Sequence, residues 1–214
     1  MSRDYMLQKV RTALGRAPGE AIPPPPEPLL RLVERDSKDR VELFQRNLEA
    51  LNGHVYRAAD RDAARERVAE IMNGASAVAS NSPVLRNCGI ASLPGVETGF
   101  GDRDALRAAC ARTAFGITSA ECALAETGTL VMFSNAAEAR LISLLPPAHI
   151  AVIPASLILN GLDDLFSRFP RPADQTSAMV FITGPSRTAD IEQILVRGVH
   201  GPGELHAVII EDVT

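Results

Sequence analysis

The sequence predicts an α/β protein built on an open, mostly parallel sheet with helices on both faces, preceded by an N-terminal helix and a proline-rich arm. Two patterns carry this expectation. Apolar runs without Asp, Glu, Lys or Arg recur at 75–79, 149–153, 178–183 and 205–210, with the length and β-branched content of buried strands. Between them lie stretches whose apolar residues repeat at helical spacing. Strands alternating with helices favour a parallel sheet covered on both sides.

Taken in order, residues 1–14 read as a short helix with Met6, Val10 and Leu14 on one face, ended by Gly15. From 17 to 28 the chain reads as a linker in which Pro23, Pro24, Pro25 and Pro26 are consecutive, an extended polyproline II strut. This divides the chain into an arm, 1–28, and a main α/β domain, 29–214. A lone helix this short is marginal in water, so it is expected to dock on its own domain, on a second copy or on a partner. In the main domain, 37–51 reads as a helix with Val41, Phe44, Leu48 and Leu51 on one face, closed by Asn52-Gly53. A strand is expected at 54–58, and Asp60 caps a helix that runs to Met72 with Arg65, Glu66, Arg67 and Glu70 on its solvated face. Residues 81–97, broken by Pro83, Gly89, Pro94 and Gly95, read as a loop with one helical turn. Asp102 caps a helix to Arg112, and 114–118 reads as a strand. A helix is expected at 136–145, bearing Arg140 with Leu141, Leu144 and Leu145 inward, before Pro146-Pro147. After the strand at 149–153, a further helix is expected at 157–169.

Two stretches carry candidate chemistry. Following the strand at 178–183 and a Gly184-Pro185 turn, Ile191, Ile194 and Leu195 fall on one helical face. Ser186 or Thr188 suits the N-cap, Asp190 the first turn and Gly198 the stop. Strand, helix and strand in succession suggest a parallel crossover, whose ligand crevice faces the helix N-terminus. That crevice would gather the amides of 186–189, the Ser186 and Thr188 hydroxyls, the Arg187 guanidinium and His200, a set suited to a carboxylate or phosphate. The plain alternative stands beside it: Ser186 and Thr188 only cap, and Arg187 is a solvated charge. In the second stretch, apolar runs flank the polar turn Glu126, Thr127, Gly128 and Thr129. A partly desolvated Glu126 would suit proton transfer or nucleophilic attack, whereas an exposed turn glutamate is the simpler reading.

Composition narrows the classes. The net charge is −4, Lys9 and Lys38 are the only lysines, and no basic stripe is present, which argues against nucleic-acid binding. A leader pattern and an apolar run long enough to span a bilayer are both missing, so a soluble, cytoplasmic chain is expected. Cys88, Cys110 and Cys122 include no C-x-x-C pair and read as buried, inert thiols, so no cluster or other cofactor is expected on this chain. His149, beside a buried strand, reads as structural, while His200 and His206 lack the spacing of a metal pair. Neither a P-loop nor a G-x-G-x-x-G fingerprint occurs. Gly184-Pro185-Ser186-Arg187-Thr188 mimics a nucleophile elbow but has Thr188 in place of the second glycine, and little chain follows to supply a triad.

Gly184-Pro185-Ser186-Arg187-Thr188-Ala189-Asp190-Ile191-Glu192, followed by Gly198-Val199-His200-Gly201-Pro202, resembles the C-terminal signature of the LUD domain family, in its lactate utilization C branch. Ala125-Glu126-Thr127-Gly128-Thr129-Leu130-Val131, followed by Arg140, Leu144-Leu145-Pro146 and His149, is a second match in the right order. The resemblance covers roughly residue 31 to the C-terminus and is best from Ile117 onward. It implies the fold class of the NagB, RpiA and CoA-transferase-like enzymes, and a place among three proteins that support growth on L-lactate by oxidising it to pyruvate. The A-type and B-type partners in that set are iron–sulfur proteins. On the matching positions, Glu126, Arg140, Arg187, Asp190 and His200 are expected to line one pocket. Glu126 and His200 would be catalytic. Ser186, Arg187, Thr188, Asp190, Arg140, Thr127, Gly128 and Thr129 would hold a small anion. A homo-oligomer, and a stand-alone enzyme or sensor for a small anionic metabolite, are the alternatives.

Overall fold

A computed structural model describes residues 2–17, 33–189, 195–198 and 200–211, with backbone only at 188–189 and 195–197. The chain separates into two units, Met1–Arg31 and Leu32–Thr214. The first contains α1 (Arg3–Ala13), whose Ser2 cap accepts a hydrogen bond from the Tyr5 amide. The expected proline strut lies outside the described residues.

The second unit runs α2 (Ser37–Ala50), β1 (His54–Ala58), α3 (Arg61–Met72), β2 (Ala77–Ala79), α4 (Pro83–Asn87), β3 (Val96–Glu97) and α5 (Arg103–Arg112). It continues through β4 (Phe115–Ser119), β5 (Cys122–Leu124), β6 (Thr129–Phe133), β7 (Ala148–Pro154), β8 (Ile158–Leu159) and α6 (Leu162–Arg168). It closes with β9 (Met179–Ile182), β10 (Arg187–Ala189), β11 (Leu195–Arg197) and β12 (Glu204–Ile210). Asp36, Asp60 and Asp102 cap α2, α3 and α5, each accepting a hydrogen bond from an amide three residues on.

Six strands form one sheet in the order β1-β12-β7-β4-β2-β3, and every pairing in it is parallel. The central strands β7 and β12 are buried along nearly their whole length, as their unbroken apolar sequences require. One face packs Ile150, Val152, Val208 and Ile210 against Ala64, Val68 and Met72 of α3 and Leu85 of α4. The other packs Ala151, Ile153, Ala207 and Ile209 against Phe44 and Leu48 of α2 and against a second sheet. Burying a side chain such as Phe44 or Leu48 contributes about 1.5–3 kcal/mol. The second sheet, in the order β8-β5-β6-β9, is mixed: β5 with β8 is parallel, while β5 with β6 and β6 with β9 are antiparallel. The open parallel sheet with helices on both faces is therefore present, with a small sheet sharing one of those faces.

Three expected elements are different. The helix expected after Gly184 is replaced, among the described residues, by an antiparallel pairing of β10 with β11. Ser186 does not cap a helix, because its amide donates to the Pro202 carbonyl and its carbonyl accepts from the Gly198 amide. Since β9 belongs to the second sheet and β12 to the first, no parallel crossover joins them. The helix expected at 136–145 shrinks to a 3₁₀ turn, Arg140–Ser143. Asn135 Oδ1 accepts from the amides of Ala137 and Glu138, an Asx turn that competes with a helix. Ile142 is buried there and Leu145 is exposed, reversing the inward face expected of Leu145. Finally, the helix expected at 157–169 is strand at Ile158–Leu159 and helical only from Leu162.

Candidate functional site

A cavity of about 170 Å³ opens between the starts of β7 and β12 and the segment that leaves β9. His149, Thr183, Ser186, His200 and Leu205 are among its lining residues. It is well above the roughly 10–15 Å³ that holds one water on the same measure, and suits a metabolite of a few carbons. Ser186 is half-buried and fixed by its two backbone hydrogen bonds to the turn that carries the exposed His200.

His149 is the second residue of β7 and is fully buried. Its Nε2 pairs with Thr118 Oγ1 on the neighbouring β4 at 2.8 Å, and its Nδ1 has no partner among the described protein groups. Burial first, and repulsion from His206 second, hold its pKa down to about 3. The ring is therefore neutral at working pH and presents an uncommitted nitrogen beside the cavity. The sequence reading missed this residue as a site group; the signal was a polar side chain inside the apolar run A-H-I-A-V-I.

The polar turn between β5 and β6 reaches the cavity indirectly. Thr127 Oγ1 lies 2.7 Å from Thr129 Oγ1, which lies 2.8 Å from Thr183 Oγ1 on the cavity wall. The turn is seated on α2, where Asn47 Nδ2 donates to the carbonyls of Ala125 and Glu126 at 2.8 and 3.0 Å. Gly128 has φ +63°, and a Cβ there would stand 2.4 Å from the Leu48 nitrogen, so only glycine permits this approach.

Other expected site residues stand apart from the cavity. Glu126 pairs with Arg35 at 3.4 Å, and Arg35 also donates to Asn160 Oδ1. A Cβ on Gly161 would come within 2.4 Å of Glu126 Oε2, so a larger residue there would displace the Glu126 carboxylate. Arg187 donates to the Leu51 carbonyl at the C-terminal end of α2, a favourable position for a cation. Arg140 is exposed on its 3₁₀ turn. None of Glu126, Arg140 and Arg187 lines the cavity. The single pocket expected from these residues is thus not assembled, and the helix amides expected to hold an anion are strand amides instead. Asp190 lies outside the described residues, and of Thr188 only the backbone is described. The three cysteines are buried and free, with burial pushing Cys122 up to about 12. Among the described residues no group of three His, Cys, Asp or Glu could hold a metal ion, and no helix is long and apolar enough to cross a membrane.

Both the sequence and the overall fold are matched among known proteins. Residues 41–210 match the LUD domain model, and the chain belongs to the LUD domain family. Lactate utilization protein C 1 of Bacillus mycoides is 29% identical, over 99% of this chain and 97% of its own length. Lactate utilization protein C of Bacillus subtilis is 41% identical over 45% of this chain and 42% of its own; that of Bacillus licheniformis is 40% identical over 52% and 48%. In these last two alignments the chain spans about half the length of the relatives. A DUF162 family protein from Deinococcus radiodurans shares the fold, with a TM-score of 0.61 at 16% identity, covering 83% of this chain and 99% of that one.

Proposed function

We propose that this chain acts in lactate utilization as a C-type, non-redox component of a cytoplasmic system that oxidises L-lactate to pyruvate with A-type and B-type iron–sulfur partners. The observation that carries the reading is the cavity beside His149, which combines a neutral imidazole, the Ser186 and Thr183 hydroxyls and His200 in a space suited to a small hydroxy or keto acid. The names of the full-length and partial relatives support it. In this reading His149, oriented by Thr118, uses its uncommitted nitrogen to hydrogen-bond the metabolite, and Ser186 and His200 fix it from the opposite strand connection. The electrons pass through the partners. The alternative of a stand-alone enzyme, with Glu126 as base and Arg187 as clamp, gains no support from their placement, since each is engaged elsewhere.

The test is ligand-induced thermal stabilisation by L-lactate and by pyruvate. Binding to the folded state alone raises the melting temperature in step with ligand concentration. Wild-type protein is expected to show the rise, and Ser186→Ala and His149→Phe to lose it while still melting cooperatively. A wild-type melting temperature indifferent to both acids would refute binding in this cavity.

A further inference from the structure

In a parallel sheet, ligands collect beyond the carboxyl ends of two neighbouring strands whose connections leave toward opposite faces. That point in this chain lies between β2 and β4. After β2 the chain passes to α4, which packs on the helical face; after β4 it passes to β5, in the sheet on the other face. The cavity described above is elsewhere, beside the starts of β7 and β12.

Beyond β2 and β4 the chain places three buried serines. Ser80 and Ser82 follow β2, Ser119 ends β4, and none is more than 8% exposed. Glu138, from the irregular segment 134–139, reaches into them. The Ser119 amide donates to Glu138 Oε1 at 3.1 Å, and the Ser119 hydroxyl donates to the same oxygen. Because that hydroxyl donates to Glu138, its 2.8 Å contact with Ser82 Oγ is one in which Ser82 donates. Ser82 Oγ in turn accepts from the Val84 amide. Ser80 Oγ and Glu138 Oε2 have no hydrogen-bond partner, and no ion pair to Glu138 occurs among the described residues.

Burial raises the Glu138 pKa, and the Ser119 hydroxyl, the largest of the opposing hydrogen bonds, partly offsets it. A carboxylate taken out of water without a cation is costly unless its surroundings are made for it. Here the Ser119 amide and hydroxyl both donate to one carboxylate oxygen, the donors that a carboxylate needs, and the second oxygen is left unpaired. The segment that delivers Glu138 is held by the Asn81 amide on the Ala137 carbonyl, by the Ser134 amide on the Ala178 carbonyl, by Thr176 Oγ1 on the Ser134 carbonyl and by the local Asn135 turn.

We propose that the ends of β2 and β4 form a carboxylate-binding cradle, built from the Ser119 amide and hydroxyl with Ser82 backing that hydroxyl and the unpartnered Ser80 hydroxyl in the same buried cluster, which Glu138 fills in this conformation and from which a small free monocarboxylate displaces it. Glu138 is an internal stand-in for the ligand. A tethered competitor acts at an effective concentration on the order of millimolar or above, so the wild-type affinity is the intrinsic one multiplied by the fraction of cradle that is free of Glu138. This site is independent of the cavity beside His149 and stands or falls without it.

The test is calorimetric titration with acetate, in wild type, in Glu138→Ala and in the milder Glu138→Asp, which shortens the reach while keeping the charge. Acetate is expected to bind Glu138→Ala at least tenfold more tightly than wild type, with Glu138→Asp between them. Adding Ser119→Ala to Glu138→Ala is expected to return the affinity to the wild-type level. Acetate binding that is unchanged in both Glu138 variants would overturn the proposal, as would tightening that survives Ser119→Ala. Inorganic phosphate bound as tightly as acetate would overturn the assignment to carboxylates. Should Glu138→Ala not fold, Glu138→Asp alone decides, by tighter binding or its absence.

Discussion

Two regions of this domain bury polar groups next to the same parallel sheet, and they do so differently. Beside the starts of β7 and β12, Thr118 pairs with one nitrogen of His149 and the other, buried, has no partner among the described protein groups. Beyond the ends of β2 and β4, the three serines face a carboxylate from the chain itself. The first region borders a cavity; the second holds a partly buried carboxylate without an ion pair among the described residues. The lesson is that an open cavity marks only one kind of candidate site. A site occupied by the chain's own side chain leaves no cavity, and is found by asking why a charge is buried where nothing neutralises it.

The comparison can be broken most severely at Gly128. Gly128→Val would drive a side chain into the backbone of α2 and is expected to cost about 2–4 kcal/mol in a denaturant melt. Hydrogen exchange should show the loss concentrated at 127–131 and 182–184, leaving the ends of β2 and β4 protected. Equal loss in both regions would mean they are one cooperative unit. Next comes His149→Phe, which keeps a ring but strands the Thr118 hydroxyl and is expected to cost about 1–3 kcal/mol.

The same variant carries a pH signature. With a folded pKa of about 3 against an ordinary 6.5, the unfolded state binds the extra proton between those values. Stability therefore rises with pH across this window and is lost as pH falls from about 6.5 toward 3, by roughly 1.4 kcal/mol per unit for one proton. His206, held down by burial and then by His54, acts in the same direction. Melts of wild type and His149→Phe from pH 4 to pH 7 are expected to differ in slope by one proton; parallel slopes would show that His149 is protonated in the fold.

Smaller effects sharpen the second region. Ser119→Ala is expected to cost about 1–2 kcal/mol at neutral pH, and less when Glu138→Ala is already present, a coupling that a double-mutant cycle reads directly. Smallest is Asp102→Ala, which removes the cap of α5 at about 1 kcal/mol. It touches neither region, so lactate stabilisation and acetate binding should both survive it.

How far the sequence could be read follows from where its signals are local. Capping aspartates and apolar periodicity placed α2, α3 and α5, and unbroken apolar runs placed β7 and β12, because each is a short-range pattern tied to burial. At 187–189 and 195–197 the helical reading gave way to paired strands, because partners that decide the matter, Leu51, Gly198 and Pro202, are not visible in the local apolar spacing. Ser186 and His200 were singled out through the matching motifs, and both line the cavity. Glu126 and Arg187 were legible as notable, but their neighbours Arg35 and Leu51 were not. Ser80, Ser82, Ser119 and Glu138 were invisible as a group, since hydroxyls scattered over about sixty residues acquire meaning only when strand order brings them together.

The most direct test of the account is lactate-dependent dye reduction by this chain, tagged and isolated from lactate-grown cells, before and after a salt wash that strips its partners. The account predicts that activity leaves with the iron–sulfur proteins, returns when they are added back, and returns poorly with Ser186→Ala. Activity that stays with the washed chain would contradict it and make this protein the oxidising enzyme itself.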